Sequence, residues 1–252
     1  MRSARRGVAI LFIVAIAGAL ASCGGGDGPQ LTVFAASSLQ QALTAYGESF
    51  PGCAVRGSFA GSDQLAAQIR QGARPDVFAS ADTGYPRRLY REGLVEKPLV
   101  FAANRLVIAV PAGGRVHSLA DLARPGTKLV IGDPGVPVGA YTRQALARLP
   151  GGERRAILAN VRSQEPEVSS VIAKLLGGAA DAGFVYVTDV KAAPPGQLDT
   201  IPLPARLQPE VAYAAAVVKG TSQPAAAHRY LEGLVSGRGA ADLRRAGFLP
   251  PP

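Results

Sequence analysis

Four short stretches of this chain place small or hydroxyl-bearing residues where an apolar strand pattern gives way to a helical one. They are Ala35-Ala36-Ser37-Ser38, Ala60-Gly61-Ser62-Asp63, Val136-Pro137-Val138-Gly139 and Glu165-Pro166-Glu167-Val168-Ser169. The first turn of a helix leaves backbone N–H groups without partners and carries the positive end of the helix dipole. Small side chains let an anion approach those donors, and serine hydroxyls add donors that rotate to meet it. One such serine is ordinarily an N-cap and nothing more. Four of these turns, each at the C-terminal end of a strand, form a pattern, because ligands of open α/β sheets bind along that edge. Tyr186 lies in a further apolar strand, Gly183-Phe184-Val185-Tyr186-Val187, and brings a phenol. Taken alone, a strand tyrosine reads as core with a satisfied hydroxyl.

Bond-making chemistry finds little support. His117 and His228 are the two histidines, they stand in unrelated contexts, and both read as surface residues. There is no Gly-x-Ser-x-Gly elbow, no Walker A lysine motif, no complete Gly-x-Gly-x-x-Gly and no paired-cysteine zinc spacing. Ser80-Ala81-Asp82 holds a serine and an aspartate with no histidine nearby in sequence, so a hydrolase would need convergence in space. The expectation is a binding protein, not an enzyme, with no cofactor and no resident metal.

Strands and helices alternate around these turns, which argues for an α/β architecture with largely parallel sheets. Apolar strands are expected at residues 31–35, 55–59, 76–80, 106–110, 128–132, 183–187 and 213–218. Helices are expected where Leu39, Leu43, Tyr46 and Phe50 recur near the helical period, around Leu65 and Ile69, over residues 85–92 and 139–149, from Val168 to Leu176, and around Tyr230, Leu231, Leu234 and Leu243. Two strand–helix sets separated by two strongly apolar strands suggest two lobes joined by a double crossover. The division expected is 31–107 plus 217–252 for lobe 1 and 108–216 for lobe 2; one continuous sheet is the alternative.

The N-terminus bears on compartment. Arg2, Arg5 and Arg6 precede an uncharged stretch over residues 7–20. That stretch is short for a membrane span, which needs about 20 residues, but suits a secretory h-region. It runs into Leu20-Ala21-Ser22-Cys23, which resembles a bacterial lipobox, where cleavage precedes a cysteine that then carries lipid. The expectation is a signal peptide over 1–22, lipidation of Cys23 and a flexible Gly-rich tether over 23–30; an ordinary secretory signal with Cys23 incidental is the alternative. Loss of three arginines takes the formal charge from +9 to about +6. The remaining basic residues are scattered, aromatics are 6% and tryptophan is absent, which argues against a nucleic-acid surface and for a solvated one that mildly favours anions. With Cys23 acylated, Cys53 has no partner within the chain and reads as a buried, inert thiol.

Several motifs together carry a more specific resemblance. Leu31-Thr32-Val33-Phe34-Ala35-Ala36-Ser37-Ser38-Leu39 resembles the opening strand and first binding turn of the periplasmic molybdate-binding proteins, the substrate-binding subunits of molybdate ABC transporters. Ser58-Phe59-Ala60-Gly61-Ser62-Asp63-Gln64-Leu65-Ala66 resembles their second binding turn, and Pro75-Asp76-Val77-Phe78-Ala79-Ser80-Ala81-Asp82 the strand after it. Gly132-Asp133-Pro134 with Val136-Pro137-Val138-Gly139-Ala140-Tyr141 looks like the second-lobe anion turn, and Gly183-Phe184-Val185-Tyr186 like the segment bearing the tyrosine ligand. The match runs in order from residue 31 to about 248.

The resemblance implies a two-lobed, type II periplasmic-binding-protein fold that closes over a tetrahedral dianion, molybdate or tungstate. It implies contacts at Ser38 and Ser62 through hydroxyl and backbone N–H, at Val138 and Val168 through backbone N–H alone, and at Tyr186 through its hydroxyl. The implied partners are an ABC transporter permease and, through the anchor, the membrane on the periplasmic side, with the chain itself a monomer. Two positions depart from the family's habit. Val138 stands where alanine is common, and Asp63 stands where a small or hydroxyl residue is usual. Asp63 is expected to cap its own helix start, where negative charge is favoured; turned into the site it would suit phosphate, which keeps a proton near neutral pH. Sulfate or phosphate binding, and a lipid-anchored sensor of the same fold, remain as alternatives.

Overall fold

The computed structural model describes residues 29–252; the expected signal segment 1–22, Cys23 and the tether up to residue 28 lie outside them. Ten strands form two five-stranded sheets. In the first, β1 (Gln30–Ala36), β2 (Ala54–Ala60) and β3 (Val77–Ser80) run parallel, β10 (Val211–Val217) lies antiparallel beside β3, and β4 (Leu99–Asn104) closes the edge, in the order β2-β1-β3-β10-β4. The second repeats the plan. Its β6 (Leu129–Gly132), β7 (Val161–Glu165) and β8 (Ala182–Tyr186) are parallel, β5 (Leu106–Pro111) is antiparallel to β8, and β9 (Leu198–Pro202) closes the edge, in the order β7-β6-β8-β5-β9. Two separate sheets, not one continuous sheet, make a two-lobed α/β fold.

Burial on both faces explains the unbroken apolar runs. Val77 and Ala79 of β3 pack into the larger core while Phe78 between them packs into a second cluster with Leu65, Ile69, Leu89 and Val95. Side chains alternate across a strand, so a sheet covered on both faces needs apolar residues at every position. The helices that cover the first sheet are α1 (Gln40–Glu48), α2 (Ser62–Arg70), α3 (Gly84–Arg91), α8 (Pro224–Ser236) and α9 (Arg238–Ala246); the second lobe carries α4 (Pro137–Ala147), α5 (Gly151–Ala159), α6 (Val168–Leu176) and α7 (Val187–Ala192). Among the described residues no helix is long and apolar enough to cross a membrane.

The chain changes sheet at Arg105, between β4 and β5, and again between β9 and β10. Leu106 and Val107 therefore pair within the second sheet, and residues 211–216 within the first, on the other side of the boundaries expected at 107/108 and 216/217. Residues 106–110 and 211–217 are buried throughout, so the apolar pattern alone does not show which sheet each strand joins. The strand expected over 183–187 stops at Tyr186, because Val187 already opens α7. Cys53 precedes β2, half-buried against the core, and burial pushes its thiol up.

Candidate functional site: a cavity between the two sheets

Five strands end at one place. β1 leads through a 3₁₀ turn (Ser37–Leu39) that holds Ser38; β2 leads to Ser62, the first residue of α2. β6 leads to Val138 in the first turn of α4, β7 to Val168 at the start of α6, and β8 ends on Tyr186. Ser38, Ser62, Val138, Val168 and Tyr186 all line a single small cavity of about 20 Å³, together with Ala36, Gly61, Ala81, Pro137 and Glu167. A wider groove of about 610 Å³ runs beside α1, α6 and α7 and shares Ser37 and Ser38. Size does not select between them: Ser62, Val138, Val168 and Tyr186 line only the small cavity.

The local geometry presents donors. The first backbone bonds within α2 and α4 are Leu65 N–H to Gly61 O at 3.0 Å and Ala140 N–H to Val136 O at 2.9 Å. The amides ahead of them, Ser62 to Gln64 and Val138 with Gly139, have no acceptor within their own helix. Pro137 at the first position of α4 sacrifices only an N–H that the helix could not pair. Ser62 Oγ accepts the Ala81 N–H at 3.1 Å, which leaves its own proton for the cavity. Ser38 Oγ and the Tyr213 hydroxyl are hydrogen-bonded at 3.0 Å.

Tyr186 is 1% exposed, and its hydroxyl is buried with no hydrogen-bond partner. Such a group costs about 1–3 kcal/mol unless something satisfies it. Burial, and after it the neighbouring Tyr213, push its phenol well above the ordinary value, so the group is a donor throughout the working pH range. No lysine or arginine lines the cavity. Neutral donors in a desolvated site suit an anion whose charge is fully developed and whose oxygens need no acceptor.

Two carboxylates lie close by, Asp63 in the first turn of α2 as expected and Glu167 where no expectation placed one. Asp63 is absent from the cavity lining, and its side chain makes no capping hydrogen bond to α2; Oδ1 is buried without a partner. Its position in the first turn still meets the positive end of the helix dipole. The carboxylate that does line the cavity is Glu167, the N-cap of α6, whose Oε2 is buried without a partner. Among the described residues no group of three or more His, Cys, Asp or Glu is placed to hold a metal ion.

The two lobes touch around the cavity mouth. Tyr85 of α3 donates its hydroxyl to the Gly135 carbonyl at 2.5 Å, joining the first lobe to the second. Gly61 stands so close to the other lobe that a Cβ there would lie 2.5 Å from the Pro166 carbonyl oxygen and 2.7 Å from Asp63 Oδ1. The absence of a side chain at Gly61 is what permits this approach.

The chain is similar in sequence and fold to known proteins. Residues 31–249 match the family described as bacterial extracellular solute-binding protein. The molybdate-binding protein ModA of Mycobacterium tuberculosis is 40% identical over 228 residues, covering 88% of this chain and 85% of that one. The Azotobacter vinelandii periplasmic molybdate-binding protein superposes with a TM-score of 0.78 at 26% identity, over 88% of this chain and 100% of that one. The sulfate-binding protein SubI of Mycobacterium tuberculosis superposes almost as well, with a TM-score of 0.77 over 88% of this chain and 86% of that one, but at 17% identity it speaks to the fold alone. On sequence and fold, the chain belongs to the bacterial extracellular solute-binding protein family.

Proposed function

We propose that this protein captures molybdate or tungstate outside the cytoplasm and presents it to the permease of an ABC transporter. The observation that carries the reading is the convergence of Ser38, Ser62, Val138, Val168 and Tyr186 on one small cavity with the Tyr186 hydroxyl left unpartnered. Three hydroxyls and the amides of the first helical turns surround a tetrahedral dianion without requiring it to donate a proton. The 40% identity to a molybdate-binding protein over most of both chains supports that anion over others. Binding and release do all the work; no group in the site is asked to make or break a bond.

A tetrahedral dianion with long metal–oxygen bonds reaches every donor, whereas the smaller sulfate leaves some unpaired. Calorimetry on the chain lacking residues 1–22, which keeps both sheets and both cores, is expected to give at least about a hundredfold preference over sulfate, or roughly 2.7 kcal/mol. Equal affinity for sulfate would reject the assignment.

Glu167 favours one second reading. A protonated oxyanion such as phosphate needs an acceptor, and Glu167 Oε2 is a buried acceptor in the cavity wall. Phosphate binding that Glu167→Gln abolishes would establish it in place of the first.

Lipidation at Cys23 would hold the chain at the membrane as a monomeric receptor, with Gly24-Gly25-Gly26 as the start of its tether. In a host competent for lipoprotein processing, the protein is expected to fractionate with membranes and Cys23→Ser to release it. An unmodified, freely soluble wild type would refute the anchor.

A further inference from the structure

Ser38 and Ser62 occupy corresponding turns after β1 and β2, yet their hydroxyls are fixed from behind in different ways. Ser62 Oγ accepts from a backbone N–H, that of Ala81, which can only donate. Behind Ser38 stands a second hydroxyl, that of Tyr213, and either oxygen of that pair is able to donate. The direction matters: a hydroxyl has one proton, so Ser38 offers the cavity a donor only if Tyr213 gives its proton to Ser38.

Asn104 supplies the direction. Its Oδ1 accepts the Arg105 N–H at 2.9 Å, which orients the amide. Its Nδ2 then points to Thr188 Oγ1 at 2.8 Å and to the Tyr213 hydroxyl at 3.4 Å. An amide nitrogen only donates, so the Tyr213 oxygen accepts from Asn104 and its single proton is left for Ser38. Burial pushes the Tyr213 phenol well above its ordinary value, so that proton is retained. We propose that Tyr213 is a positioning residue for anion capture: with Asn104 it forms a one-way donor chain that holds the Ser38 proton toward the cavity. The chain is rooted where the polypeptide passes between sheets, since Asn104 ends β4, Arg105 is the crossover, and Thr188 belongs to α7 of the second lobe. Chains of aligned hydrogen bonds polarise one another, so each link strengthens the donor at the end.

The inference rests on the oxyanion reading of the cavity, and a double-mutant cycle separates the two. Molybdate affinity is measured by calorimetry for wild type, Tyr213→Phe, Ser38→Ala and the double variant, with thermal midpoints of the ligand-free proteins alongside. Tyr213→Phe keeps the ring against Tyr186, Phe101 and Phe248 and removes only the hydroxyl. It is expected to weaken binding about threefold to tenfold, the range of one neutral hydrogen bond. In the Ser38→Ala background the same change should cost less than about twofold, because the proton it sets is gone. Asn104→Ala provides an independent variant that must show the same dependence on Ser38. Equal losses in both backgrounds would mean that Tyr213 acts through packing, and would overturn the chain, as would an unchanged Tyr213→Phe in a wild type that binds. A wild type that takes up no molybdate overturns the proposed function, and the chain with it.

Discussion

Tyr186→Phe separates affinity from stability more cleanly than any other change at this site. The substitution deletes one oxygen from a side chain that is 1% exposed and keeps the ring against Tyr141 and Tyr213. In the folded protein that oxygen has no partner, so its removal takes away an unsatisfied buried group and is expected to leave the ligand-free midpoint unchanged or raised. Toward a bound dianion the same oxygen is a charge-assisted donor, worth about 1.5–3 kcal/mol. At about 1.4 kcal/mol per decade, affinity for molybdate should fall roughly tenfold to a hundredfold. With ligand far above either dissociation constant, a hundredfold loss also removes about 2.7 kcal/mol of ligand-induced stabilisation, visible as a smaller thermal shift. Calorimetry and thermal unfolding with and without molybdate read both quantities. An unchanged affinity, or a ligand-free midpoint that falls by several degrees, would refute the reasoning, since the hydroxyl would then have served the fold and not the ligand.

Three further perturbations test neighbouring parts of the account. Ser38→Ala and Ser62→Ala are each expected to weaken molybdate binding about tenfold to a hundredfold by calorimetry, whereas Val138→Ala and Val168→Ala, which keep their backbone N–H groups, should cost less than about threefold. Gly61→Ala puts a Cβ 2.5 Å from the Pro166 carbonyl of the other lobe and 2.7 Å from Asp63 Oδ1, so it should hold the lobes apart and weaken binding by about tenfold or more in calorimetry; Gly61 sits at φ −59°, ψ 136°, a conformation alanine adopts freely, so the loss would come from the contacts and not from backbone strain. Asp189, buried behind the site, has its carboxyl pushed up to about 7 by burial, although the Tyr186 N–H donates to it at 2.9 Å. A folded value above the unfolded one means that the native state holds the proton more tightly. That contribution is complete below about pH 4 and lost as pH rises toward 7, a fall of roughly 4 kcal/mol. Asp189→Asn should therefore flatten the pH dependence of denaturant unfolding between pH 4 and 7, and an equal slope in both proteins would contradict the assignment.

Much of the site was legible because its parts are local. Each of the turns at Ser38, Ser62, Val138 and Val168 is a strand end, a few small residues and a helix start within one short stretch, and that chemistry can be read without knowing what packs against it. The same holds for the buried strands, whose unbroken apolar runs reflect two covered faces. The elements that escaped are those with weak local signals. β7 reads Val-Arg-Ser-Gln-Glu at an edge of its sheet, and α5 starts on Gly151-Gly152 after Pro150, both poor helix formers. β4 and β9 are edge strands as well, half-exposed and without clean alternation. Long-range relations were beyond reach of any pattern: Tyr213 meets Ser38 across 175 positions, and nothing in Glu165-Pro166-Glu167 announces which carboxylate faces the cavity. Asp63 stands in the first turn of α2, where the dipole favours it, but it does not cap the helix: Gly61 is the N-cap and no side-chain capping bond forms.

A crystal structure of the chain lacking residues 1–22 grown with molybdate, with the anomalous signal of molybdenum used to locate the ion, would show directly where the anion sits. One molybdenum peak is expected in the small cavity, with the hydroxyls of Ser38, Ser62 and Tyr186 and the backbone amides of Val138 and Val168 within hydrogen-bond distance of its oxygens. A peak elsewhere, such as in the wider groove beside α1 and α7, or a cavity filled only by water at saturating molybdate, would contradict it.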